Sequence, residues 1–176
     1  GQMFNSYDPS ITTDYDLDKA KSLIKKAGFE GPKFDIHSAD AAYPGAVDAA
    51  QIFAQSFATI GVSMNVVREP NDGYWANVWN NKPFSSVVWG ARPVEDMILS
   101  LAYTSNAAWN DTGIAIERVD QLVKSARGEL DTVKRQAMYS EVQRLISTQG
   151  GTLIPAFGND LAVKNKKIGI GPNIGG

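Results

Sequence analysis

The segment from Trp89 to Asp96 combines side chains suited to holding a small charged molecule. It contains an indole, the guanidinium of Arg92 and two adjacent carboxylates, Glu95 and Asp96. A guanidinium can bind a carboxylate through two parallel hydrogen bonds, and a carboxylate can bind an ammonium group. Ligands of open α/β sheets also sit beyond the carboxyl ends of strands, where this segment is expected. It therefore predicts a binding site for a zwitterionic solute, with Trp89, Arg92 and Asp96 as the main contacts.

The two charged side chains also have structural alternatives. Arg92 could pair with Glu95 across the first helical turn, in a surface ion pair worth well under ~1 kcal/mol. Asp96 could be a first-turn acid that the helix dipole favours. Both alternatives stay open at this point.

Three further residues are weaker candidates for ligand contacts. Trp109 and Asn110 lie in a polar loop, where an exposed tryptophan often indicates an interface or a ligand wall. Tyr74 begins a short helix that also carries Trp75 and Trp79. Because residues four apart share a helix face, that spacing favours core packing over a ligand platform.

No catalytic arrangement emerges from the sequence. His37, Ser38 and Asp40 supply the residue types of a hydrolase triad. Neighbours on a strand point to opposite faces, however, so His37 and Ser38 should not face each other. The chain also lacks a Gly-x-Ser-x-Gly elbow and a phosphate-binding glycine pattern. A pair of distant carboxylates stays open, but we predict no catalytic residue and no enzymatic activity.

The composition excludes several classes of site. The chain has no cysteine and one histidine, so thiolate and multi-histidine metal sites are excluded. No acidic run has calcium-loop spacing, and we predict neither a metal nor a cofactor. The net charge of −2 and scattered basic residues give no support for binding nucleic acid. No apolar run approaches the roughly 20 residues of a membrane span. The start on glycine suggests a processed or excised piece.

Helical and strand patterns alternate along the chain and must position these residues. Leu17 to Ala27 has helical spacing between a capping Asp16 and Gly28. Further helices are predicted over 44–60, 74–79, 94–103, 117–129 and 131–148, and strands over 34–37, 62–66, 84–89, 153–157 and 161–163. This order predicts an α/β fold with largely parallel neighbouring strands and right-handed crossovers.

Several motifs occur in the order typical of one family. They are Tyr15-Asp16-Leu17-Asp18-Lys19-Ala20-Lys21, Lys26-Ala27-Gly28-Phe29, Ile60-Gly61-Val62, Asp72-Gly73-Tyr74-Trp75, Trp89-Gly90, Arg118-Val119-Asp120-Gln121-Leu122, Ala126-Arg127, Asp131, Arg135, Tyr139, Gln143 and Ile154-Pro155-Ala156-Phe157. Together they resemble the family 5 extracellular solute-binding proteins, which are the peptide- and nickel-binding components of bacterial ABC importers. The resemblance spans nearly the whole chain.

The resemblance implies a particular architecture. Members have two lobes that enclose the solute, and this chain resembles most of the C-terminal lobe, without the N-terminal lobe. The implied fold is a periplasmic-binding-protein-like α/β lobe, a mixed sheet flanked by helices. We expect residues 1–14 to be a linker or arm, residues 15–168 to be the incomplete lobe, and residues 169–176 to be a truncated tail.

The resemblance also implies a function. The protein would be the substrate-binding component of an ABC importer in the periplasm or outside the cell, lipid-anchored in some relatives. It would capture a peptide or similar zwitterionic solute and deliver it to a membrane permease. In peptide-binding members an acid after the strand-tip turn holds the ligand's amino terminus, and Asp96 matches that acid loosely. Arg92 departs from the family pattern, which leaves other small organic solutes open. A stand-alone α/β enzyme and a protein-interaction domain using Trp109 are the alternatives.

Overall fold

The structure is a computed structural model that describes residues 4–29, 31–158, 163 and 165–169. It divides into two compact units. We call Thr13–Trp89 the sheet unit, and Gly1–Thr12 with Gly90–Gly176 the helical unit. The elements in chain order are α1 (Leu17–Lys26), β1 (Lys33–Ser38), α2 (Ala46–Ala58), β2 (Ser63–Arg68), α3 (Tyr74–Asn77), α4 (Glu95–Ala102), α5 (Glu117–Gly128) and α6 (Thr132–Gln149).

The sheet unit is built on one strand–helix–strand repeat. β1 and β2 pair in parallel, in a register from Lys33 opposite Ser63 to Ser38 opposite Arg68. α2 connects them and packs its apolar side on both strands. The prediction of parallel neighbours is confirmed. α2 begins at Ala46, two residues later than predicted, because Gly45 has a φ of +81°, outside the helical region.

Two apolar clusters fill the sheet unit. The first joins Ile36 of β1, Ala50 of α2 and Met64 of β2. The second joins the start of α2 to α3 and consists of Ala39, Ala42, Ala46, Tyr74 and Val78. α2 contributes to both clusters, while β1 contributes to the first and ends next to Ala39 of the second. These two elements therefore form the centre of the unit.

The predicted strand over 84–89 is wrong in extent. Only one isolated bridge forms, between His37 and Ser85. Its backbone hydrogen bonds run from His37 N to Phe84 O (3.0 Å) and from Ser86 N to His37 O (3.0 Å). Beyond Ser86 the run leaves β1, and Val88 is 53% exposed. An apolar run indicates burial, but a strand also needs a partner that pairs along its length.

The predicted strand over 153–157 is likewise absent. Leu153, Ile154 and Phe157 are each more than half exposed, and the segment forms no helix or strand. The prediction over 161–163 falls mainly on residues outside those described. Only Val163 is described there, and it lies in neither a helix nor a strand.

α1 forms as predicted, but its apolar residues are not buried. Asp16 caps it by accepting a hydrogen bond from Lys19 N at 2.8 Å, and Gly28 ends it with a φ of +76°. None of its residues is buried, and Leu23 is 55% exposed. In the described parts of the chain, α1 packs on no other helix or strand. Local signals thus set the helix, while its apolar residues pack on no described helix or strand.

The helical unit is held together by α4, α5 and α6. Asp131 caps α6 by accepting hydrogen bonds from Val133 N and Lys134 N. The apolar pattern of residues 131–148 places Val133 and Ala137 on one face with Val142, Leu145 and Ile146, but Val133 is 74% exposed and Ala137 is also exposed. The core consists of Leu99, Ile114, Val119, Leu122, Val123, Ala126, Tyr139, Val142, Leu145 and Ile146.

The described amino-terminal residues 4–12 belong to the helical unit and are anchored to its helices. Gln143 of α6 donates a hydrogen bond to Ser6 O at 2.6 Å, and Asp8 N donates to Gln143 Oε1 at 3.3 Å. The hydroxyls of Ser6 and Ser140 donate to Glu95 and Asp8, respectively. The arm therefore packs on α4 and α6. The boundaries predicted at residues 14 and 168 stay predictions.

Candidate functional site

Arg92 lies in the turn that leads into α4, and its guanidinium is held by the backbone. Nη1 donates to Gly90 O at 2.9 Å and to Ala91 O at 3.3 Å. Among the described residues no carboxylate lies within ion-pair distance of Arg92, so the alternative pair with Glu95 does not form. The Nε and Nη2 N–H groups have no described protein acceptor. That edge of the guanidinium has the geometry that binds a carboxylate through two hydrogen bonds.

Asp96, in the first turn of α4, forms an ion pair with Arg127 at the end of α5. Arg127 Nε lies 3.1 Å from Asp96 Oδ2 and 3.3 Å from Oδ1. Ser100 Oγ donates to Oδ1 at 3.3 Å and accepts from Arg127 Nη2 at 2.5 Å. The Asp96 and Arg127 side chains are 24% and 59% exposed, respectively. Asp96 is therefore accessible but already paired.

Arg127 was not predicted from the sequence as part of this site. The two partners are separated by 31 positions. The only local signal is a basic residue in the last turn of α5, where the helix dipole favours a cation anyway. A pair of this kind is visible only once α4 and α5 pack together.

Trp109 and Asn110 have different roles in the loop between α4 and α5. Asn110 Nδ2 donates to Ile114 O at 2.8 Å and to Thr104 O at 3.2 Å. Its Oδ1 accepts from Thr112 Oγ1 at 2.7 Å. Both polar atoms of the Asn110 amide thus form hydrogen bonds that hold the loop together. Trp109 is 46% exposed, which confirms its predicted exposure.

Tyr74 and Trp89 belong to the sheet unit. Tyr74 is only 1% exposed, and its hydroxyl donates to Ser86 O at 2.7 Å. The expected core packing is confirmed for Tyr74, which leaves its ring little surface for a ligand. Trp89 is half-buried and stacks edge-on against Trp79, with ring centroids 6.1 Å apart. Trp75 continues this row of rings towards Tyr74.

The possible His37–Ser38–Asp40 triad is not assembled. His37 Nδ1 lies 2.6 Å from Glu69 Oε1. Ser38 is fully buried, and its hydroxyl accepts a hydrogen bond from Ser86 Oγ at 2.9 Å. The two side chains thus have separate partners, as expected for neighbours on a strand. Glu69 was not identified from the sequence as the partner of His37.

The described residues include neither a metal-binding cluster nor a membrane-spanning helix. Within this part of the chain, no group of three or more histidine, aspartate or glutamate side chains is placed to hold a metal ion. None of the helices described here is both long and apolar enough to cross a membrane.

Tyr139 lies in the core of the helical unit, close enough to Asp96 and Glu95 to be affected by their charges. Because of this tyrosine, we expect the folded protein to lose stability at high pH. Burial first, and then those two carboxylates, raise its pKa to about 12. The folded protein therefore retains the phenol proton to higher pH than the unfolded chain, whose tyrosine pKa is about 10. The stabilising contribution is complete below about pH 10 and is lost progressively as the pH rises to about 12.

Denaturant unfolding at about pH 9 and pH 11 would measure this effect. In Tyr139→Phe the loss of stability between the two pH values should be smaller than in the wild type, because the titrating group is gone. Tyr74, whose pKa burial also raises to about 12, remains in both proteins and serves as the internal reference. If the wild type and Tyr139→Phe lost the same unfolding free energy between the two pH values, the pKa of Tyr139 would not be raised.

Comparison with known proteins gives one family and a consistent fold. The model of the bacterial extracellular solute-binding proteins, family 5 Middle, matches residues 1–111. No curated protein matches the chain. The periplasmic binding protein DppA from Helicobacter pylori, solved with the peptide STSA, is 23% identical with a TM-score of 0.71. The alignment covers 84% of this chain and 30% of that one.

Two further solved structures have the same fold. A dipeptide-binding protein from Pseudoalteromonas sp. SM9913, in complex with Met-Leu, is 21% identical with a TM-score of 0.68, covering 81% of this chain and 30% of that one. NikZ from Campylobacter jejuni, in complex with Ni(L-His), is 22% identical with a TM-score of 0.63, covering 76% and 30%. The chain thus spans about 30% of the length of these proteins. These similarities confirm the predicted periplasmic-binding-protein-like α/β lobe.

Proposed function

Since this chain belongs to the bacterial extracellular solute-binding proteins of family 5, we propose that it is part of the substrate-binding component of an ABC importer. The proposed activity is reversible capture of a peptide or similar small zwitterionic solute between two lobes. Closure of the lobes about a hinge would precede delivery to a membrane permease. The protein would act in the periplasm or outside the cell, with the N-terminal lobe of the same protein as its structural partner.

The open edge of the Arg92 guanidinium is the observation that carries this proposal. Two backbone carbonyls hold Nη1, so the side chain is oriented before any solute arrives. Preorganisation of this kind lowers the entropy lost on binding. The free Nε and Nη2 groups then receive a solute carboxylate side-on. Asp96 is the proposed contact for the opposite, ammonium end of the solute.

Binding without chemistry is favoured over an enzymatic role. Nucleophilic catalysis needs a base within hydrogen-bond reach of its nucleophile. His37 instead contacts Glu69, and Ser38 contacts Ser86 in the sheet unit. We therefore propose that no bond is made or broken. A protein-interaction role through Trp109 is supported only by the exposure of that side chain.

Native mass spectrometry of the protein as its source produces it tests this proposal. We expect a small carboxylate-bearing solute to co-purify and to be released on denaturation. The same solute should raise the melting temperature of the stripped protein, because a ligand that binds only the folded state stabilises it. Absence of a bound solute, together with no stabilisation by any member of a dipeptide library, would contradict the proposal.

A further inference from the structure

The ion pair between Asp96 and Arg127 points to a role in selecting the solute. We propose that Arg127 is a specificity-determining residue: its guanidinium is the resident counter-ion of Asp96, and a solute ammonium competes with it for that carboxylate. This inference rests on the proposed function, and it assigns a role to a residue outside the Trp89–Asp96 segment.

The contacts form a closed arrangement of three side chains. Arg127 Nε lies within 3.3 Å of both Asp96 oxygens, and Ser100 bridges the two partners by accepting from Arg127 and donating to Asp96. A carboxylate offers about four lone-pair directions. Three of the hydrogen bonds it can accept are already made within the helical unit. A solute ammonium would therefore compete for the directions that Arg127 occupies.

Exposure determines how strong this competition is. Both partners keep contact with solvent, at 24% for the Asp96 side chain and 59% for that of Arg127. Exposed ion pairs change an equilibrium by up to about fivefold. Arg127 would thus adjust the affinity for an ammonium group without abolishing it. Arg92, in contrast, has no described counter-ion, so the carboxylate end of a solute meets no such competitor.

This asymmetry defines the class of solute that the site should favour. Recognition would depend mainly on the carboxylate, and a free amino group would add little. Solutes with a carboxylate and a substituted or acylated amine would then be bound nearly as well as the free amine. The inferred class is therefore N-substituted amino acids and short peptides, alongside unmodified ones.

Matched ligands test the inference directly. The protein as its source produces it, stripped of solute, would be offered a dipeptide library and the same library N-acetylated, with binding read by native mass spectrometry. For each dipeptide we define the ratio as its affinity with a free amino group divided by its affinity when N-acetylated. Arg127→Gln should raise this ratio by about two- to fivefold. Arg118→Gln on the same helix, which loses only its pairing with Glu141, should leave it unchanged.

Two further variants distinguish competition from a folding effect. Arg127→Lys keeps the positive charge but loses the planar fork, so its ratio should fall between those of wild type and Arg127→Gln. Asp96→Asn should bring the ratio close to one, and adding Arg127→Gln should then have no further effect. Melting temperatures measured alongside identify any loss of fold.

The outcomes separate this inference from the function on which it rests. Binding of the libraries with an unchanged or lowered ratio in Arg127→Gln would overturn the inference and leave the proposed function intact. Binding of neither library by wild type or any variant would overturn both. A raised ratio that persists in the Asp96→Asn background would also overturn it, because Arg127 would then act elsewhere.

Discussion

Replacing Arg92 with glutamine should weaken the binding of a carboxylate-bearing solute by roughly 30- to 4,000-fold. Truncating one partner of an enclosed, hydrogen-bonded charge pair costs about 2 to 5 kcal/mol, and ~1.4 kcal/mol corresponds to tenfold in affinity. The backbone carbonyls of Gly90 and Ala91 hold Nη1, so the variant loses both the charge and the orientation of the fork. The effect should appear mainly as faster dissociation.

Calorimetric titration of the stripped protein with the solute that co-purifies would measure this change. Arg92→Lys keeps the charge without the bidentate geometry and should bind with intermediate affinity. Arg118→Gln is the matched control, because Arg118 is an exposed arginine that pairs with Glu141. Affinity of Arg92→Gln within about twofold of wild type would show that the carboxylate is bound elsewhere.

Replacing Tyr74 with alanine should lower the free energy of unfolding by about 3 to 5 kcal/mol, the usual cost of deleting a buried aromatic ring. Tyr74 is 1% exposed and is the largest of the fully buried side chains among the residues that the structure describes. Its ring packs among Ala39, Ala42 and Ala46, and its hydroxyl donates to Ser86 O. The small side chains around it offer little volume with which to fill the cavity.

Denaturant unfolding near neutral pH would measure this loss, with two controls. Tyr74→Phe removes only the hydroxyl and should cost about 1 kcal/mol. Tyr15→Ala deletes a ring that is 84% exposed and should change stability by no more than about 0.5 kcal/mol. If Tyr74→Ala and Tyr15→Ala behaved alike, Tyr74 would not be part of the core.

Short-range signals predicted the local elements well. Asp16 caps α1 as predicted, through a hydrogen bond from a backbone group three residues later. Asp131, where the predicted helix over 131–148 starts, caps α6 in the same way. The alternation of strand, helix and strand predicted the parallel pair β1 and β2. A helix cap depends on residues within one turn, and the parallel pair depends on one strand–helix–strand crossover. The residues that determine these features therefore lie close together in the chain.

Predictions failed where burial depended on a distant partner. The 84–89 run has the composition of a strand, yet it pairs with β1 only around Ser85. The buried face of α6 is centred on Tyr139 and Val142, and Val133 points to solvent. Hydrophobic pattern identifies residues that gain from burial. It does not identify which surfaces are available to bury them.

The Trp89–Asp96 segment illustrates what each level of description determined. By itself the sequence determined the family, the α/β alternation and a candidate site with both charges. Only the tertiary structure decided the state of those charges: Asp96 is paired with Arg127, and Arg92 is held by its own backbone with one edge open. The physical reason is that an ion pair depends on distance in space. Folding brings together groups 31 positions apart, and no local pattern records that approach.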